Sequence, residues 1–268
     1  MSAAPGSLAG RVAAIARAAG REILAVYAQA DAAATLKADA SPLTAADLRS
    51  QRLIAGALAA LTPGVPVLSE EAARPPYAER ARWARHWLVD PLDGTREFLA
   101  RNGEFTVNIA LIEAHAPVLG VVHVPVSDTT YCGIPGEGGW RQVGAGPVQA
   151  LQVAAHAADP VRVVGSRSHR GDSLAGFLAR LGRHELVGVG SSLKLCLIAE
   201  GAADVYPRLG PTSEWDTAAA QAVVVAAGGA VVELDGRPLR YNAGVELLNP
   251  SFVAYGDRQR DWLSLLRT

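Results

Sequence analysis

The chain has 268 residues, half of them hydrophobic, with 25 Lys plus Arg against 26 Asp plus Glu and a formal net charge of −1. This balance, without a basic block of five or more residues, excludes a phosphate-tracking nucleic-acid surface, and the lack of an 18-residue apolar run excludes an integral membrane segment. The start of the sequence has no long apolar stretch of signal-peptide type and the only cysteines are Cys132 and Cys196, so a reduced, cytoplasmic protein is expected, with a peripheral association with the inner membrane left open.

Leu8, Val12, Ile15, Ala19, Ile23 and Tyr27 fall on one helical face and predict a helix over 7–29. A polar loop, Asp31 to Ser41, follows. Thr44 with Asp47 three residues on is a capping-box variant, opening a helix that runs to about Leu61. Val65 to Ser69 reads as a short strand leading to Glu70 and Glu71. Residues 74–85, with four Arg, one Glu and Pro75-Pro76, read as surface loop and short helix. From Trp87 the pattern turns to strand, with Thr106 to Ile112 and Val118 to Val126 separated by a turn at His115-Ala116-Pro117, and a further strand through Tyr131. The Gly-rich stretch 133–147 suggests a junction, with Trp140 in a short strand inside it. Beyond it strands at 161–164, 186–189 and 204–206 alternate with helices at 173–181 and 192–200. A helix over 214–227 and strands near 231–234 and 252–255 complete the pattern. The expected organisation is an α+β N-terminal domain, 1–145, and an α/β C-terminal domain, 146–268.

Residues 87–98 read WLVDPLDGTREF. Trp87, Leu88 and Val89 end a buried strand, and Pro91 forbids helix before it. Asp93 is a preferred N-cap, and Gly94 lets backbone come close to a ligand. Two carboxylates, Asp90 and Asp93, therefore sit on a rigid corner beside free N–H groups and the Thr95 hydroxyl. Hard divalent cations take carboxylate and carbonyl oxygens, and phosphate takes helix N-terminal N–H groups, so one corner can hold both. A plain solvated turn would have the same local sequence. Glu70, Asp47 and Asp216, the last in Glu214-Trp215-Asp216-Thr217, add carboxylates that a turn does not need.

DPLDGT, with SEE before it and WDTAAA after it, resembles the lithium-sensitive, Mg²⁺-dependent phosphatases of the inositol monophosphatase superfamily. The longer stretches LKADASPLTAAD, VPVLSEE, WLVDPLDGTREFLARNGEFTVNIALIE, GSRSH, GSSLKLCLIAEG and YPRLGPTSEWDTAAAQAV resemble its CysQ-type 3′(2′),5′-bisphosphate nucleotidases over roughly residues 8–255. The resemblance implies a layered αβαβα sandwich with the site between the halves. It implies two or three Mg²⁺ ions, one on Glu70, Asp90 and the Leu92 carbonyl and another on Asp90, Asp93 and Asp216. Such ions serve in-line attack of water on a phosphomonoester. It gives Thr95, linked to Asp47, the task of orienting that water, where the bland alternative is a helix-start residue. The Gly94 and Thr95 N–H groups are expected to meet the phosphate. His169, Ser191, Lys194 and Arg208 match residues that contact the second phosphate and the ribose of a nucleotide, and the loop from Leu36 to Thr44, with Lys37 and Thr44, resembles one that carries metal ligands or closes over the site. Glu71 is either a ligand or a support behind the ligands.

The function so implied is hydrolysis of 3′-phosphoadenosine 5′-phosphate to AMP and phosphate, with 3′-phosphoadenylyl sulfate as a second substrate. The alternative enzyme is an inositol or sugar monophosphate phosphatase, and the alternative class a non-catalytic nucleotide or metal sensor. The expected partner is a small-molecule nucleotide, and the protein a monomer or homodimer.

Overall fold

A computed structural model describes residues 6–29, 34–36, 42–165 and 172–266. In chain order the elements are α1 (Leu8–Tyr27), β1 (Ala34–Leu36), β2 (Pro42–Thr44), α2 (Ala45–Leu61), β3 (Val67–Ser69), α3 (Tyr77–Arg80), β4 (Arg85–Asp93) and α4 (Thr95–Leu99). There follow β5 (Thr106–Glu113), β6 (Ala116–Val124), β7 (Thr129–Ile134), β8 (Gly138–Val143) and β9 (Gln149–Ala150). The last part holds β10 (Val161–Gly165), α5 (Asp172–Leu181), β11 (His184–Gly188), α6 (Leu193–Ala199), β12 (Val205–Arg208), α7 (Ala218–Ala226), β13 (Ala230–Glu233) and β14 (Phe252–Tyr255). Among the described residues, β3 to β9 form one sheet in sequence order and β11-β10-β12-β14-β13 a second, while β1 and β2 pair as a hairpin.

The period-2 rule builds the layers. In β4 and β5, Trp87, Val89, Val107, Ile109 and Leu111 pack against α1 and α2, while Leu88, Ala110 and Ile112 face the other way. That second face meets α6 and α7, which also cover one side of the second sheet through Val164, Tyr206, Val231 and Ala254. The far side of the second sheet, with Val161, Val163, Val205 and Val253, meets Phe177 and Leu181 of α5 and Trp262 of the C-terminal segment. The result is the layered αβαβα sandwich that the sequence led us to expect. No helix of the described residues is long and apolar enough to cross a membrane. Cys132 and Cys196 are free and buried in different cores.

The middle layer is tight because two glycines let α7 lie on the first sheet. A Cβ on Gly120 would run into the Ala219 carbonyl oxygen, and one on Gly133 into Val223. Gly120→Ala is therefore expected to destabilise the protein by about 1–3 kcal/mol or more, as overpacking does, seen as a lower midpoint in chemical denaturation. An unchanged midpoint would mean that α7 can step away from the sheet.

Several expectations need correction. The strand expected to end at Val89 runs on as β4 to Asp93, with a register shift against β5 between Asp90 and Asp93. Pro91 lies inside this bulge, where a ladder N–H is not required. Asp93 is not an N-cap: Gly94 holds that position with φ 91°, and no side chain caps α4, because the Asp93 carboxylate is engaged elsewhere. The helix expected over 214–227 begins as a 3₁₀ turn, Glu214–Asp216, and breaks at Thr217, because Ser213 and Asp216 cap each other and tighten the turn. The turn expected at 115–117 falls on Ala114 and His115, both at positive φ, and β6 starts at Ala116. In the stretch expected to be surface, Arg80 is buried at 3% exposure.

Candidate active site

Glu70 follows β3, and its N–H bonds the Val89 carbonyl of β4, which sets it beside Asp90. Asp90 is 1% exposed, and its Oδ1 accepts the Leu92 N–H at 3.0 Å across the bulge. The Ser50 hydroxyl of α2 donates to the Pro91 carbonyl at 2.7 Å and fastens the bulge from below. Asp216 arrives from the 3₁₀ turn, with Oδ2 accepting the Ser213 N–H at 2.9 Å. One oxygen each of Glu70, Asp90 and Asp216 lie within 4.8 Å of one another. Asp93 stands next to this trio. Its Oδ2 accepts the Ser192 N–H and lies 3.4 Å from both the Thr106 hydroxyl and the Asn108 amide nitrogen.

Burial, then the charges of Glu70, Asp93 and Asp216, hold the Asp90 carboxyl well above the usual carboxylate range. Asp216 is raised well above it for the same first reason, with Asp93 next. Asp93 is raised by burial, against the opposing pull of Lys194. Such a cluster is costly when ionised and without a counter-charge. A hard divalent cation is the partner that this all-oxygen set of buried and half-buried carboxylates fits.

These groups line a cavity of about 530 Å³. Of the residues singled out from the sequence, Glu70, Asp90, Leu92, Asp93, Gly94, Thr95, Ser191, Lys194, Arg208 and Asp216 all lie on its wall. Asp47 stands behind Thr95: its Oδ1 is 3.4 Å from the Thr95 hydroxyl that donates to it, and its Oδ2 accepts both Thr44 N–H and Thr44 Oγ1–H. Thr44 thus serves as a cap for α2 rather than as part of the wall. Glu71 does not line the cavity. His169 and Lys37 lie outside the described residues.

Lys194 is 9% exposed, and its ammonium sits 5.8 Å from the Tyr206 ring centre. Burial lowers its pKa, while the charges of Asp93, Glu97 and Asp216 oppose the shift. Arg208 ends β12, donates to the Pro211 carbonyl at 2.7 Å and has a buried Nε with no partner among the described residues. Ser191 takes a left-handed φ of 47°, which turns the loop sharply into α6.

Sequence reasoning missed the residues that hold this wall. Arg80 donates to Asn242 Oδ1 at 2.6 Å, to the Gly244 carbonyl at 3.0 Å and to the Val245 carbonyl. Asn242 in turn gives its N–H to Glu214 at 2.7 Å, in the same turn as Asp216. No local signal marks Arg80, because its partners lie far along the chain.

Buried and half-buried carboxylates around a bulged strand end, sharing a cavity wall with Lys194 of α6 and Arg208 of β12, define a metal-dependent phosphatase of the αβαβα type. The chain belongs to the inositol monophosphatase family, whose family model matches residues 8–262. It is 49% identical over 242 residues to the 3′(2′),5′-bisphosphate nucleotidase CysQ of Salmonella typhimurium, covering 89% of this chain and 95% of that protein. Its identity with the protein of the same description from Escherichia coli strain K12 is 50% over 216 residues, 81% of this chain and 86% of that one. Among solved structures it is similar to CysQ from Bacteroides thetaiotaomicron, with a TM-score of 0.82 at 42% identity, covering 93% of this chain and 97% of that chain.

Proposed function

We infer that the chain is a 3′(2′),5′-bisphosphate nucleotidase that hydrolyses 3′-phosphoadenosine 5′-phosphate to AMP and phosphate, and accepts 3′-phosphoadenylyl sulfate as a second substrate. The observation that carries this is the pair Lys194 and Arg208 on the same cavity wall as the carboxylates. Two cationic groups beyond a metal site suit a substrate with a second phosphate and exceed the needs of a monophosphate. The close relatives carry the same description.

The reading takes Mg²⁺ as the cofactor, in two or three ions, with Glu70, Asp90, the Leu92 carbonyl, Asp93 and Asp216 as the groups that hold it. When bound, such ions polarise phosphoryl oxygens and lower the pKa of water. The protein's own part is positional. Asp47 accepts the Thr95 hydrogen, so the Thr95 oxygen offers lone pairs to a water and holds it in line with phosphorus. The Gly94 and Thr95 N–H groups, at the start of α4, meet the phosphate being cleaved. Lys194, Arg208 and Ser191 meet the phosphate that stays, with His169 assigned to the same subsite. The reading places the enzyme in the cytoplasm and divides it near residue 145 into a part holding most metal ligands and a part holding Asp216 and the specificity residues.

The deciding measurement is phosphate release from 3′-phosphoadenosine 5′-phosphate and inositol 1-phosphate side by side, with and without Mg²⁺. Release from the bisphosphate should dominate and should stop in excess EDTA. Full activity in EDTA would remove the metal reading, and a preference for inositol 1-phosphate would replace the nucleotide with the monophosphate alternative.

Thr95→Ala is expected to lower kcat by about 10²-fold or more, the usual range for a group that handles the proton of the nucleophile, with little change in KM. Asp47→Asn should resemble it, and the double variant should lose little more than either alone. A normal kcat in Thr95→Ala would leave Thr95 as a helix-start residue only.

A further inference from the structure

The mechanism above leaves two buried polar residues of the middle layer without a task. Asn108 sits in β5 between Val107 and Ile109, at 1% exposure. By the two-residue period it shares a face with Thr106, Ala110 and Ile112, and Ala110 and Ile112 belong to the apolar middle layer. Ser192, 4% exposed, precedes α6 on the other side of the cavity. A buried amide among apolar neighbours costs free energy unless its groups are paired.

Here every group is paired, and the pairs converge on one atom. The Ser192 hydroxyl donates to Asn108 Oδ1 at 2.7 Å and lies 2.8 Å from Thr106 Oγ1. Thr106 Oγ1 is also 3.1 Å from Asn108 Oδ1. With its oxygen so occupied, the Asn108 amide must present its NH₂ side to Asp93 Oδ2 at 3.4 Å. The Ser192 backbone N–H reaches the same Oδ2. The donors gather on Oδ2, and among the described residues none is given to Oδ1.

We propose that Asn108 and Ser192 are positioning residues that engage Asp93 Oδ2 and leave its Oδ1 for a cation, and that they tie this ligand to the turn into α6 that carries Ser191 and Lys194. The proposal rests on the reading of Asp93 as a metal ligand. Hydrogen-bond partners behind a ligand fix its orientation, and their loss commonly weakens metal binding by about 10- to 100-fold. Because Ser192 neighbours Ser191 and opens the helix of Lys194, the same network sets the distance from the metals to the second-phosphate subsite.

The test titrates Mg²⁺ calorimetrically into the full chain without substrate, for wild type, Asn108→Ala and Ser192→Ala, beside melting curves and steady-state kinetics on 3′-phosphoadenosine 5′-phosphate. Asn108→Ala should bind Mg²⁺ about tenfold or more weakly. Ser192→Ala keeps its backbone N–H, so its Mg²⁺ affinity should fall less while KM for the bisphosphate rises more than kcat falls. The double variant should fall short of the product of the two losses, since they share a bond. A lower melting temperature with wild-type Mg²⁺ affinity in both variants would make the network structural only and overturn the proposal. Should Asn108→Ala not fold, Ser192→Ala decides alone, and unchanged Mg²⁺ affinity and KM in it overturn the proposal. Failure of the wild type itself to bind Mg²⁺ would remove the metal reading, a result distinct from equal binding by all three proteins.

Discussion

Asp90→Asn is expected to lower kcat by about 10²- to 10³-fold or more, since a Lewis-acid site is worth several kcal/mol in the transition state and each ~1.4 kcal/mol is a decade. The same change should leave the metal-free protein at least as stable as the wild type. The reason is electrostatic. Asp90 is buried among Glu70, Asp93 and Asp216, and its pKa stands well above the ordinary value, first by burial and then by those charges. A carboxylate raised in the folded state is harmless at low pH, where it is neutral folded and unfolded alike. Its cost appears as pH climbs above the unfolded value towards the folded one. At neutral pH the metal-free wild type therefore carries a penalty that the isosteric amide removes, while an amide oxygen still accepts the Leu92 N–H. Melting curves should show metal-free wild type gaining stability from pH 7 down to about 5, with a flatter response in Asp90→Asn. Mg²⁺ should raise the melting temperature of the wild type far more than that of the variant. A metal-free variant several degrees less stable than the wild type would mean that Asp90 is held by favourable contacts and not opposed by its neighbours.

What the sequence made legible, and what it did not, follows from the range of the contacts. The first helix could be read because Val12, Ala19 and Ile23 repeat at helical spacing and are all buried, and the second because Thr44 and Asp47 form a capping box. The carboxylates could be read because Asp90 and Asp93 lie three residues apart around Pro91, and because Glu70 and Asp216 sit in SEE and WDTAAA stretches that resemble a known family. The bulge itself was hidden, since Pro91 looks the same whether it ends a strand or widens one. Asn108 and Ser192 were hidden for a different reason. Thr106 and Asn108 read as ordinary members of an apolar strand, and their shared partner Ser192 lies 86 and 84 residues away. Arg80 is the same case, 162 residues from Asn242. The C-terminal segment gave no pattern, yet Trp262 is 1% exposed in the third core and its indole N–H meets the Asp257 carbonyl. Local periodicity and capping specify elements, while the pairing of single polar residues across layers depends on a fold that already exists.

The substrate's second phosphate supplies the other large effect. Lys194→Met and Arg208→Met should each lower kcat/KM for 3′-phosphoadenosine 5′-phosphate by about ten- to a hundredfold, because a charge-assisted contact contributes roughly 1.5–3 kcal/mol and each ~1.4 kcal/mol is a decade. Met keeps the apolar stem that fills the space beside Tyr206, so the change removes charge more than packing. Each cation carries opposing interactions, Lys194 with Asp93 and Arg208, and Arg208 with Asp216 and Lys194, so removing one takes away an attraction together with a repulsion. The substrate-free protein should therefore fold as well as before. Inositol 1-phosphate has no second phosphate to lose, and its hydrolysis should change little. The ratio of the two losses is the measurement, because a misfolded variant would fall equally on both substrates. Equal losses in well-folded variants would show that Lys194 and Arg208 serve the phosphate being cleaved. The subsite would then hold a single phosphate, and the inositol or sugar monophosphate reading would account for the cavity better than the nucleotide does.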